Sequence, residues 1–311
     1  MLRTPRTLVA DVRQCRLLAG LDAKRKDEAL APMPEGPAPA PVTQRLRVRY
    51  AKRGRLRFTS HRDISRAVER AVRRAGIPVA FSAGFTPHPK ISYAGAAATG
   101  VASEAEYLEI GLTDARDPER VRADLDAALP SGLDILDVVP VQESGPLADR
   151  LQASEWLIRL DGVASGAVDA AVSAFLAADV IEVERLTKKG RRRFDARAAV
   201  SSFEVLDRRA TQATEAPCAI LRMVVRHTTP AVRPDDVLTG LRQVADLAPP
   251  SPPMVTRLAQ GPLDAETGDL ADPLDPDRKA VPPGEDAGAE FGVAYLQPAG
   301  AVETGAVSAR P

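Results

Sequence analysis

At 311 residues, with 42 Lys+Arg against 42 Asp+Glu, the chain has room for one large or two modest domains and no net charge that would name a partner. Its two cysteines, Cys15 and Cys218, lie far apart, which fits a reducing compartment and excludes a CxxC metal site and the CxxxCxxC cradle of an iron–sulfur cluster. No run approaches the roughly 20 apolar residues that cross a bilayer, and the start lacks the apolar stretch of a secretory leader, so a cytoplasmic protein with no membrane partner is expected.

Residues 1–43 carry a short helical pattern, Leu8 to Leu21, and then a Pro/Ala-rich run, which reads as a disordered arm. Order is expected from Gln44. Leu46, Val48 and Tyr50 alternate with arginines as in a half-buried strand, Arg53-Gly54 marks a hairpin turn, and Leu56 and Phe58 begin a second extended piece. Ser60 or Thr59 then caps a helix; with Ser60 at the cap, Asp63 falls in its first turn, near the positive helix end. Ile64, Val68, Ala71, Val72 and Ala75 form the apolar stripe, leaving Arg62, Arg66, Arg70, Arg73 and Arg74 largely off it. Gly76 ends this helix and Pro78 prevents its return. Extended pieces at 79–81 and 90–94 flank the loop SAGFTPHP. A strand at 106–112, a helix from Pro118 to Leu129 and a strand at 133–139 complete a β-α-β-β-α-β order, the split βαβ or ferredoxin-like pattern.

A second set follows: strand 155–160, helix 168–177, strand 180–186, an extended run 193–206, strand 219–226, helix 235–244 and strand 254–258. The expected fold is therefore α+β, two ferredoxin-like plaits side by side at 44–145 and 152–260, with a disordered acidic tail at 261–311. Lys52-Arg53-Gly54-Arg55-Leu56-Arg57-Phe58 is echoed by Lys188-Lys189-Gly190-Arg191-Arg192-Arg193-Phe194, as if each half carried one basic hairpin.

The charge is segregated. From Arg45 to Lys90 there are 13 basic residues against Asp63 and Glu69, a local excess of +11, whereas from Gly261 onward 3 basic residues face 10 acidic ones. A basic face attracts polyanions whatever the total charge. Lys52, Arg53, Arg55, Arg57, Arg62, Arg66, Arg70, Arg73 and Lys90, with Lys188, Lys189, Arg191 and Arg193 in the second half, are the expected phosphate-binding set, and RNA is the simplest partner. Phe85 and Tyr93 are candidate stacking residues. The acidic tail could fold over this face and compete with RNA.

His61, Asp63 and His88 are the candidate catalytic groups. Pro87 and Pro89 fix their own φ and push Thr86 and His88 towards extended geometry, so His88 is presented at a defined angle. No nucleophile elbow accompanies them, and two histidines with one carboxylate make only a thin metal site, so neither metal nor cofactor is expected. Neither GxGxxG nor GxxxxGK[ST] occurs, which speaks against nucleotide binding by a standard phosphate loop.

The segments Lys52-Arg53-Gly54, Arg57-Phe58, Ser60-His61-Arg62-Asp63, Glu69-Arg70-Ala71, Arg73-Arg74-Ala75-Gly76-Ile77-Pro78 and Gly84-Phe85-Thr86-Pro87-His88-Pro89-Lys90 together resemble the radical SAM-associated (radical SAM-linked) family, whose domain has no assigned function. The resemblance spans about residues 44 to 260, with Arg62 and Thr86 standing where Leu and Asn are usual. It implies a free-standing member and a radical SAM enzyme, on a separate polypeptide, as partner. Three readings stay open: an RNA-binding accessory, an RNA- or nucleotide-modifying enzyme using His61, Asp63 and His88, and a protein adaptor without nucleic acid contact.

Overall fold

Alternation along β1 (Gln44–Lys52) sends Leu46, Val48 and Tyr50 to one face and Arg47 and Arg49 to the other, and the rest of the first half assembles on those two surfaces. The computed structural model describes residues 39–142, 145–187, 190–206 and 217–279. A 3-10 helix (Gly54–Phe58) follows β1, then α1 (His61–Arg74), β2 (Ile91–Ala94), β3 (Ala102–Leu112), α2 (Pro118–Ala128) and β4 (Leu133–Pro140). The short α3 (Leu147–Arg150) leads into β5 (Ala153–Asp161), α4 (Ser165–Ala177), β6 (Glu182–Thr187), β7 (Gly190–Asp195), β8 (Val200–Leu206), β9 (Cys218–Arg226), α5 (Pro234–Ala245), β10 (Met254–Gly261) and α6 (Asp275–Lys279).

Eight strands share one sheet in the order β4-β1-β3-β10-β5-β9-β8, with β2 added along β3. Each half repeats one arrangement. In β4-β1-β3-β2, as in β10-β5-β9-β8, every pairing is antiparallel and a helix occupies the first and last crossovers. The halves meet where β10 runs parallel to β3, through Thr256 opposite Ala102 and Arg257 opposite Ser103. The α+β class with a mostly antiparallel sheet is thus as expected, and the two halves share a single continuous sheet.

One irregularity sets the sidedness. Tyr50 pairs with Glu106 and Lys52 with Ser103, so β3 takes one residue more than β1 across that step. Such a bulge turns Ser103 to the same side as Glu106, Leu108 and Ile110. Ser103 in turn pairs with Arg257, on the side of β10 that faces the second core. The helices of both halves therefore lie on one side of the sheet. There Leu46, Val48, Leu108 and Ile110 pack against Ile64, Val68, Val121 and Leu125, while Trp156, Ile158 and Leu221 pack against Val168, Phe175, Val237 and Leu241. Buried apolar area of this kind contributes roughly 25 cal/mol per Å² to folding.

The opposite side of the first half is covered by chain that the composition reads as tail. Residues 262–279 are ordered: Leu263 bridges Leu270, and Leu274 joins Ala105, Tyr107, Val139, Leu147 and Leu151 in a third cluster. Fully buried Asp277 accepts from Arg47 at 2.6 Å and Arg150 at 2.7 Å, and from the Gln142 amide at 3.0 Å. A boundary at 261 is therefore corrected, because Asp277 of this segment adds a fully buried carboxylate to Arg47, which also faces Glu109, and to Arg150. Residues 1–38 and 280–311 lie outside the described residues.

The first of the two basic hairpins is also corrected. Residues 54–58 coil into 3-10 turns, with the Leu56 amide donating to Arg53 O and the Thr59 amide to Leu56 O, both at 3.0 Å, instead of pairing as a strand. In the second half β6 and β7 do form a hairpin, as a separate two-stranded sheet, and its turn residues Lys188 and Lys189 lie outside the described residues. The first basic turn follows β1 and the second follows α4, so the two are not equivalent positions of the repeated arrangement.

Candidate functional site

The exposed side of α1 follows from its capping and its stripe. Ser60 accepts from the Asp63 amide at 3.3 Å and donates to its carboxylate at 2.7 Å, and Gly76, at φ +63°, closes the other end where other residues would be strained. With Ile64, Val68, Ala71 and Val72 turned inward, Arg62, Arg66, Arg70, Arg73 and Arg74 stand in solvent. Arg66 and Arg73 make only long pairs within the helix, to Asp63 at 3.7 Å and Glu69 at 4.0 Å. Among the described residues Arg55, Arg62, Arg70 and Lys90 make no ion pair. Pairs of this kind between exposed groups contribute about 0–1 kcal/mol, so the helix stays available to an incoming polyanion.

Aromatic surface lies beside it. Phe58 is 60% exposed two residues before the helix cap, with the Arg57 guanidinium 4.6 Å from its ring centre. Phe85 is 75% exposed in the loop after Gly84, whereas Tyr93 is largely buried and its phenol is pushed up to about 12 by that burial. Phe85 thus has the exposure that stacking needs, and Tyr93 belongs to the packing.

Other members of the expected basic set are engaged elsewhere. Lys52 is 1% exposed and donates to the carbonyls of Ala97 at 3.2 Å and Ala98 at 3.1 Å, so it is corrected from surface contact to buried cation. Arg53 is clamped by Glu104 and by Asp134, the latter at 2.8 Å, which holds its guanidinium firmly charged. On the hairpin, Arg191 and Arg193 both pair with Glu184, at 2.9 and 3.2 Å, and together depress its carboxyl below the usual carboxylate range. The local excess of +11 is thinned further by Arg47, buried on Glu109 and Asp277.

His61, Asp63 and His88 are not brought together. The His61 ring stands edge-on to Tyr93 at 4.9 Å between centres, on the helix side of β2. His88 lines a hollow with Arg45, Ser92 and Glu109, residues of the opposite side of the sheet, and its loop is closed by the His88 amide donating to Ser82 Oγ at 3.0 Å. The sheet separates the two histidines, so no dyad or triad forms from them. Pro87 and Pro89 hold the loop in shape; Gly84 sits in it at φ +127°.

The structure instead assembles a charged cluster at the seam between the halves, which the sequence reading missed. Glu106 accepts from Arg257 and from the Ala97 amide, and Arg257 also donates to Ser103 Oγ at 3.2 Å and to Gln260 Oε1 at 3.3 Å. Ser103, Glu106, Arg257 and Gln260 are buried, and buried Lys52 feels the charges of Glu106 and Arg257. Beside them His227 donates from Nδ1 to Leu151 O at 2.7 Å, since a carbonyl can only accept, which leaves Nε2 to accept from Ser154 Oγ at 2.7 Å. Desolvation lowers the imidazole pKa, although His227 as a residue is exposed. One signal was legible: Glu106 stands in register with Leu108 and Ile110, a charge at a core-facing position.

Among the described residues no group of three His, Cys, Asp or Glu side chains converges as a metal site would require, and no helix is long and apolar enough to cross a membrane. A family model described as "Uncharacterized protein conserved in bacteria (DUF2344)" matches residues 45–234. No curated protein matches the chain. A solved Cbf5-Nop10-Gar1 complex aligns at 11% identity and a TM-score of 0.37, over 76% of this chain and 56% of that one, a little over half its length.

Proposed function

We propose, from the premise that the chain belongs to the DUF2344 family, that it is an accessory protein that grips RNA along α1 and presents it to a radical SAM enzyme on a separate polypeptide. One observation carries the reading: a capped helix holding five exposed arginines, three of them, Arg62, Arg70 and Arg74, without an ion pair among the described residues. Guanidinium forks at such spacing suit successive phosphates, and Phe58 and Phe85 offer faces on which bases stack. The partner enzyme rests on the family resemblance of the 52–90 motifs. The repeated strand order supports a matching origin for the fold, two split βαβ plaits joined through β3 and β10.

The test is RNA retention by the full chain across a salt series, with Arg62, Arg66, Arg70 and Arg73 changed together to Glu. Each lost phosphate contact lowers the slope of log affinity against log salt by roughly 1. Retention that is insensitive to salt, or unchanged in the variant, overturns the reading. Affinity capture before and after nuclease treatment separates it from the adaptor reading, in which a protein partner stays bound when RNA is destroyed.

A further inference from the structure

At the seam between the halves, on the helix side of the sheet, the loop 95–101 and the segment 231–235 enclose a cavity of about 460 Å³, within the range of small-molecule sites. Its walls are largely apolar, with Ala97, Ala98, Val101 and Val232 around the indole of Trp156. The guanidinium of Arg257 lies 5.5 Å from the centre of the indole ring and also lines the cavity. A flat apolar wall thus adjoins a fixed cation.

The charges around this cavity do not balance. Lys52 and Arg257 are buried cations, and Glu106 is the one buried carboxylate between them. At the rim Arg233 and Asp235 offset each other, and burial lowers the pKa of His227, which favours its neutral form. Burying a net charge is costly, and here the burial depresses the lysine ammonium below its usual range, a penalty an entering anion removes. The guanidinium has five N–H groups, and three hydrogen bonds to Ser103, Gln260 and Glu106 leave donors over.

We propose that this cavity binds a planar, ring-bearing anion of mononucleotide size, with the ring against Trp156 and the anionic group at Arg257. A phosphate ester or a carboxylate on an aromatic ring shares this chemistry. The site involves none of the α1 arginines, so it stands or falls apart from RNA binding.

Trp156 is the only tryptophan in the chain, so its emission reports on the cavity directly. The full chain is titrated with AMP, UMP, 4-hydroxybenzoate, adenosine and uridine, in the native form and as Ala98→Phe, which fills the cavity from an exposed loop position. Saturable change with AMP or UMP identifies a phosphate ligand, and saturable change with 4-hydroxybenzoate a carboxylate. In either case the neutral nucleosides bind at least about tenfold more weakly, the effect of losing a charge-assisted hydrogen bond, and Ala98→Phe abolishes the response while leaving the unfolding transition in place. No saturable change with any of the three anions, equal affinity for AMP and adenosine, or an undiminished response in Ala98→Phe overturns the proposal.

Discussion

The arginines of α1 and those of the strands are one residue type with two fates. On α1 they project from a surface whose other side holds the core, and their pairs are long and exposed. On β1 and β10, Arg47 and Arg257 are enclosed, each held by several partners at fixed positions. The difference lies in what surrounds them: an exposed guanidinium keeps its hydration and can exchange water for phosphate, while an enclosed one has already exchanged it for carboxylates and carbonyls. Local charge counts treat the two alike. Only the exposed set can take part in recognition of an outside polymer.

That contrast can be broken by mutation. Replacing Asp277 by Ala removes the buried carboxylate that Arg47 and Arg150 share, and the unfolding free energy in a denaturant titration should fall by about 3–5 kcal/mol. Glu106→Gln keeps the shape but leaves Arg257 and Lys52 without a carboxylate; a loss of about 2–4 kcal/mol is expected from the same measurement. On the exposed side the effects shrink. Ser60→Ala removes the cap of α1 and should cost about 1 kcal/mol, read as a lowered midpoint with unchanged slope. Arg70→Ala should stay within about 0.5 kcal/mol of the parent. An Arg70 effect as large as that of Asp277 would erase the distinction.

Much of the frame was legible in the residues. The cap at Ser60 or Thr59, the stripe from Ile64 to Val72 and the stop at Gly76 place α1 closely, because each rests on local chemistry. The alternation in β1 and β3 was equally plain. What escaped were long-range facts. The order of residues 262–279 depends on Asp277 meeting Arg47, 230 positions earlier, and no local signal in a Pro- and Asp-rich run announces that. His61 and His88 were grouped because they share a short stretch, yet one meets Tyr93 on the helix side of β2 and the other lies with Ser92 and Glu109 on its opposite side. The seam cluster draws Lys52, Glu106 and Arg257 from three distant strands, with only the core-facing register of Glu106 as a clue.

The contact of Asp277 with Arg47 also sets the order in which the molecule can be made. Of the described strands, the first to leave the ribosome contains an arginine that meets Glu109 early but whose buried carboxylate, Asp277, arrives only near the end of the described chain, and β3 waits for β10 to cover its edge. Contacts so distant in sequence slow folding, because a long loop must close before they form. The nascent N-terminal half therefore waits with a basic strand and an open sheet edge, and its completion is a late event of synthesis.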